Sequence, residues 1–184
     1  ASQLIEAFRH IKACGPQATL VIVGEGEERS RLEALASSAG LAQATRFLGM
    51  LSQTQALLSL MDVFVFLPAV QEGFGFSLLE AMAAGKPIVS VRRGGGSTWV
   101  LEDHPIGITV EPDQPHQLAE AVIRLLQDRA VAQRVGQEAQ EVARTRYDLA
   151  RVIDDVETVY ESVLLEAKSW KLEAKQKLVP NTDG

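Results

Sequence analysis

Apolar residues along this chain fall into two alternating patterns. Short continuous runs at residues 19–23, 63–67, 88–91 and 106–110 are rich in Val, Ile or Phe and bordered by Gly or Pro. Runs of this length predict strands buried on both faces of a sheet. A fifth, weaker run at 45–48 closes on Gly49. Between them the spacing turns helical. Leu4, Ile5, Phe8 and Ile11 mark one face of an amphipathic helix over residues 1–15, and Leu32, Leu35, Ala36 and Ala39 mark a second that Gly40 ends. Ser52 with Gln55 has the form of a capping box opening a helix through 57–60. Residues 77–84 form a short apolar helix stopped by Gly85, and Asp113 is placed to cap a helix through Leu118, Val122 and Leu125. Residues 131–146 and 148–167 also have helical patterns.

Strands alternating with helices through short links predict an α/β fold, a Rossmann-like doubly wound parallel sheet covered on both faces. The order adds a constraint. The chain opens on a helix leading into a strand, whereas the first strand of such a fold is central, between the second and the fourth. The sheet is therefore expected to lack its first strand here, with upstream sequence supplying it; a sheet closed by residues 1–184 without a central gap would refute this. Two segments are expected, a Rossmann-like domain over residues 1–166 and a C-terminal helical extension and tail over 167–184.

Composition narrows the functions. Of 184 residues, 46% are hydrophobic and 23% charged, enough for one soluble domain with a core. No apolar run approaches the roughly 18 residues of a membrane span. The formal net charge of -6 argues against nucleic acid as a partner, since phosphate backbones call for clustered Lys and Arg. The single cysteine, Cys14, excludes an internal disulfide, fits a reducing, cytoplasmic setting, and is expected as a buried small residue near a helix end. Near the C-terminus, Val163, Ala167, Trp170, Ala174 and Leu178 share helical spacing, with Lys168, Lys171, Lys175 and Lys177 between them. Such a helix either packs across to another domain, the favoured expectation, or lies on an anionic membrane at its inner face.

The segment Glu72-Gly73-Phe74-Gly75-Phe76-Ser77-Leu78-Leu79-Glu80 carries most of the chemistry. It follows an expected strand and opens an expected helix, so unpaired N–H groups point at the sheet's C-terminal edge, where a pyrophosphate fits. Gly75 permits close backbone approach. Glu72 lies before the helix and Glu80 is expected in its first turn. Carboxylates there suit hydroxyl groups on either side of a diphosphate. By itself, Ser77-x-x-Glu80 is equally an ordinary capping box; Glu72, the glycines and the preceding strand tip the balance toward binding.

This segment resembles the E-x7-E signature of retaining glycosyltransferases with the two-domain GT-B fold, in particular family 4. Leu20-Val21-Ile22-Val23-Gly24-Glu25-Gly26, Arg46-Phe47-Leu48-Gly49, Asp62-Val63-Phe64-Val65-Phe66-Leu67-Pro68, Glu80-Ala81-Met82-Ala83-Ala84-Gly85-Lys86-Pro87-Ile88-Val89, Gly95-Gly96 and Gly107 through Pro112 resemble further segments of that family in order, over about residues 1–165. The resemblance implies sugar transfer from a nucleotide-sugar donor to an acceptor, with retention and without a metal or other cofactor, the chain being the C-terminal, donor-binding half. It implies that Glu72 meets the transferred sugar, that Gly73 lies in the donor site, that amides of Phe74, Gly75, Phe76, Ser77 and Leu78 hold sugar and pyrophosphate, and that Glu80 takes the ribose. Backbone at Met50 and Leu51 faces the base, and Gly24 lines the cleft. The partners implied are the donor and an N-terminal acceptor-binding domain.

Three departures stand out. The family's basic Arg and Lys would lie upstream of Ala1. Trp99 stands where Glu is usual after Gly95-Gly96, and the acceptor domain is absent, so the fragment alone is expected to be inactive. A catalytically inactive nucleotide-sugar-binding or regulatory module is the alternative. Arg92 and Arg93, at the same expected edge, are candidates to replace lost positive charge, though solvated residues are the commoner outcome. His10, His104 and His116 are scattered in sequence without metal-ligand spacing, and Gly24-Glu25-Gly26 lacks the third glycine of a dinucleotide fingerprint.

Overall fold

A computed structural model describes residues 2–68, 73–103 and 106–177, without the side chains of 97, 98, 102, 103, 169 and 171–177. The elements run α1 (Ser2–Cys14), β1 (Leu20–Val23), α2 (Arg29–Ser38), a 3-10 turn (Ala42–Ala44), β2 (Thr45–Gly49), α3 (Gln55–Leu60), β3 (Phe64–Phe66), α4 (Phe76–Ala83), β4 (Ile88–Val91), α5 (Gly96–Asp103), β5 (Gly107–Val110), α6 (Pro115–Gln127), α7 (Arg129–Arg146) and α8 (Leu149–Lys177). All strand pairs are parallel.

The strands form two sheets, β1-β2 and β3-β4-β5, with no ladder between β1 and β3. In a doubly wound order the first strand sits between the second and the fourth. If β1 and β2 are that fold's second and third strands and β3 to β5 its fourth to sixth, the break falls where the first strand belongs. The chain is thus part of a domain, with a gap at the sheet's centre.

Alternation along β4 sorts the helices into two layers. Val89 and Val91 share a core with Ile5, Phe8 and Ile11 of α1, Leu32 and Ala36 of α2, and Leu118, Val122 and Leu125 of α6. Leu58 of α3, Leu78 and Met82 of α4, Val100 of α5 and Ala139 of α7 are buried outside that cluster, as is Ile88. The α4–α7 contact is close: a Cβ on Gly136 would lie 2.2 Å from the Gly85 carbonyl oxygen, and Gln140 Nε2 donates to Ala83 O at the end of α4. Two compact units are resolved, residues Ala1–Arg144 and Thr145–Gly184. The second contains α8, an uninterrupted helix, so the expected boundary at 166/167 falls within it. Val152, Val156, Val159 and Val163 are exposed along α8, and Leu178 lies outside the described residues.

Several local expectations are corrected. Burial on both faces holds throughout β4, whereas β1 is only partly covered, with Val23 38% exposed. The reason is pairing: β4 has a strand on each side and β1 on one only. Cys14 is exposed, because the packed face of α1 ends at Ile11 and the last turn projects past it. Thr54, not Ser52, occupies the N-cap of α3, and no side chain caps that helix. Asp113 does not cap α6. It takes φ 56° and gives its N–H to Gln3 Oε1, leaving Gln114 at the N-cap ahead of Pro115. Among the described residues, no helix is long and apolar enough to cross a membrane.

Candidate active site

Parallel strands bring their C-terminal ends to one edge, and the expected binding residues lie along it. In the β1-β2 half, Gly24 takes φ 121° and its N–H donates to Gly49 O at 2.8 Å, tying the two strand ends together. Gly49 takes φ 69°, a left-handed conformation that favours glycine, where the chain leaves β2 beside the Glu25 side chain. Met50, 75% exposed, and Leu51 follow. Arg29 bridges Glu25 and Glu33 at the same corner, and their hydrogen bonds and charges raise its pKa, Glu33's hydrogen bond most.

In the β3-β4-β5 half, Gly75 is the N-cap of α4 at φ 75°, ψ 68°. A Cβ on it would lie 2.7 Å from Phe66 Cζ at the end of β3, so the loop rests directly on that ring. From behind, Gly96 N–H donates to Gly73 O at 2.8 Å, and a Cβ on Gly96 would stand 2.2 Å from that oxygen. Two glycines, Gly75 and Gly96, therefore seat the loop against a ring and a neighbouring backbone without side chains between.

The mouth of α4 has fewer donors than expected. Leu78 N–H donates to Gly75 O at 2.9 Å and Leu79 N–H reaches the same oxygen at 3.4 Å, while the Leu78 side chain is wholly buried in the core. The amides of Phe76 and Ser77 are the first-turn donors that helix geometry leaves facing outward. Phe76 is 77% exposed and packs edge-on to Phe74 at 6.4 Å. Ser77 lies inside the helix rather than at its cap, so the capping box with Glu80 does not form. Glu80 sits past the first turn, a correction to its expected place, and its Oε2 accepts from Thr54 Oγ1 at 2.8 Å.

That hydrogen bond joins the two halves of the edge, since Thr54 leads into α3 just after Met50 and Leu51, and Glu80 belongs to α4. Thr54 was not foreseen; a threonine ahead of a helix reads as a cap, and only the fold reveals its partner. Glu72 lies outside the described residues. Arg92 Nε pairs with Glu111 at 3.0 Å, and Arg93 approaches Asp113 at 3.9 Å, so acids beside them already offset these charges. Trp99, on a helix that the sequence pattern did not indicate, is 58% exposed. His10 and His116, although far apart in sequence, are in contact, with ring centroids 4.1 Å apart.

A glycine-seated loop at a helix mouth, with an acid one turn in and a second glycine turn across the edge, thus lies at the C-terminal edge of the parallel strands of an α/β fold. The family profile described as "Glycosyl transferases group 1" matches residues 1–142, and the chain belongs to that family. It is 32% identical over 138 residues to the lipopolysaccharide core biosynthesis glycosyltransferase LpsE of Rhizobium meliloti (strain 1021), covering 75% of this chain and 39% of LpsE. It is 37% identical over 139 residues to the glycogen synthase of Mycobacterium tuberculosis (strain CDC 1551 / Oshkosh), covering 74% and 33%. Among solved structures, Anabaena HepE in complex with UDP superposes with a TM-score of 0.78 at 25% identity, over 87% of this chain and 44% of HepE. HepE is also described in complex with UDP-glucose. The chain thus spans two fifths or less of the length of these curated relatives, and its fold corresponds to the C-terminal region of GT-B glycosyltransferases.

Proposed function

We propose that the protein containing this chain is a family 4 retaining glycosyltransferase, and that this chain is its donor-binding domain. It transfers a sugar from a nucleoside-diphosphate sugar to an acceptor held by an N-terminal domain. The amides of Phe76 and Ser77 meet the diphosphate, where preorganised donors stabilise the charge that grows on the leaving group. Glu80 receives the ribose hydroxyls, Glu72 the hydroxyls of the transferred sugar, and backbone at Met50 and Leu51 lies beside the base. Gly24 lines the cleft. Amides and basic side chains serve the leaving group in place of a metal, and the fragment alone is inactive because the acceptor is held elsewhere.

The observation that carries this reading is the Thr54–Glu80 hydrogen bond. It brings Glu80, to which we assign the ribose, beside the segment that follows Met50 and Leu51, as that assignment requires. Kinship to LpsE and to the UDP-bound HepE supports it. The test is a panel of UDP-, GDP- and ADP-sugars in thermal unfolding of the full-length protein, since a ligand that binds only the folded state stabilises it by mass action. One base should stand out, and Glu80→Ala should remove its effect. A flat panel would discard the assignment. An inactive module of the same fold is the second reading, favoured only by Trp99 in place of the usual acid; donor binding without turnover would support it.

A further inference from the structure

Away from that edge, packing alone brings two histidines into contact. α1 and α6 make the most extensive helix–helix contact in the chain. There His10 and His116, separated by 106 residues of sequence, lie with ring centroids 4.1 Å apart and planes inclined by 43°. His10 is half-buried and His116 exposed. We propose that these two imidazoles form a binding site for a divalent transition-metal ion of the zinc, nickel or copper class, clamping α1 to α6.

Imidazole nitrogen suits these ions, whereas magnesium and calcium prefer oxygen. With metal–nitrogen distances of about 2.0–2.1 Å, two rings on one ion place their centres roughly 4.5–5 Å apart. Small rotations of two accessible side chains open the present contact to that spacing, and the tilt is nearer to it than a flat stack. The backbone beneath is held firm. Ile11, next to His10, and Leu118 and Ala119, just beyond His116, are buried in the shared core. The helices that carry the ligands are therefore held by folding rather than gathered by the ion, which lowers the cost of binding. Among the described residues, no group of three His, Cys, Asp or Glu is placed to hold an ion, so water fills the remaining positions. Such a site depends on both rings: with either one gone, a single imidazole remains.

The experiment is thermal unfolding of the full-length protein with zinc, nickel or magnesium chloride, in the native sequence and in His10→Gln and His116→Gln. Zinc and nickel should raise the native melting temperature with concentration, and magnesium should not. Each variant should need at least tenfold more zinc for the same rise. As a second readout, the Cu2+ electron paramagnetic resonance spectrum should show two nitrogen donors in the native protein and one in each variant. The absence of a metal-dependent rise overturns the proposal, as does a rise or a spectrum that neither substitution alters.

Discussion

The two halves of the sheet are written in equally apolar segments, yet they bury them unequally. Ile88-Val89-Ser90-Val91 is covered along its whole length, while Leu20-Val21-Ile22-Val23 is partly open. Helices lie over both. The difference is that β4 is flanked by β3 and β5, whereas β1 has β2 alone. Apolar content thus foretells how many neighbours a strand is made for, and β1 carries more than this chain covers. In the proposed site, the three-stranded half supplies the helix mouth and Glu80, and the two-stranded half supplies Thr54, whose hydroxyl donates to that acid.

Perturbations of either half sharpen that contrast. The largest effect is expected at the acids. Glu80→Ala and Glu72→Ala in the full-length protein should each lower turnover by a factor on the order of 10^2 or more, equivalent to about 2.7 kcal/mol of barrier; steady-state kinetics with the preferred donor checks this. Next is the core. Ile88→Ala should destabilise by roughly 2–5 kcal/mol in denaturant titration, whereas Ile22→Ala should cost clearly less in residues 1–184 alone. In the full-length protein the two losses should converge, and a gap that stays the same would argue against a strand beside β1. Gly96→Ala drives a methyl into the Gly73 carbonyl and should cost about 1–3 kcal/mol through local displacement, weakening donor affinity more than turnover. The smallest is Thr54→Val, which removes one exposed hydrogen bond; it should raise the donor KM a few-fold and change stability by no more than about 0.5 kcal/mol.

The strands were legible because each of the five apolar runs has Gly or Pro at one border, and their observed bounds differ from the expected ones by a residue or so. The central gap was legible from element order alone. Features that depend on tertiary partners were not. Nothing in the sequence around Thr54 points to its partner, Glu80, which only the fold delivers to its hydroxyl. Leu78 reads as a phosphate-site amide until α4 turns that N–H onto Gly75. Asp113 reads as a cap until the Gln3 side chain takes its backbone N–H. The histidine contact joins helices from opposite ends of the domain, and no local spacing encodes it. In each case a polar group has several local uses, and only distant residues select among them.

The break between β1 and β3 has a practical consequence at the bench. Each strand presents one margin of peptide groups without a ladder, and such margins recruit other strands. Produced as residues 1–184, the chain is expected to self-associate through those margins, increasingly so at higher concentration. A short synthetic peptide with the sequence of the intervening strand should suppress that clumping by filling the slot first.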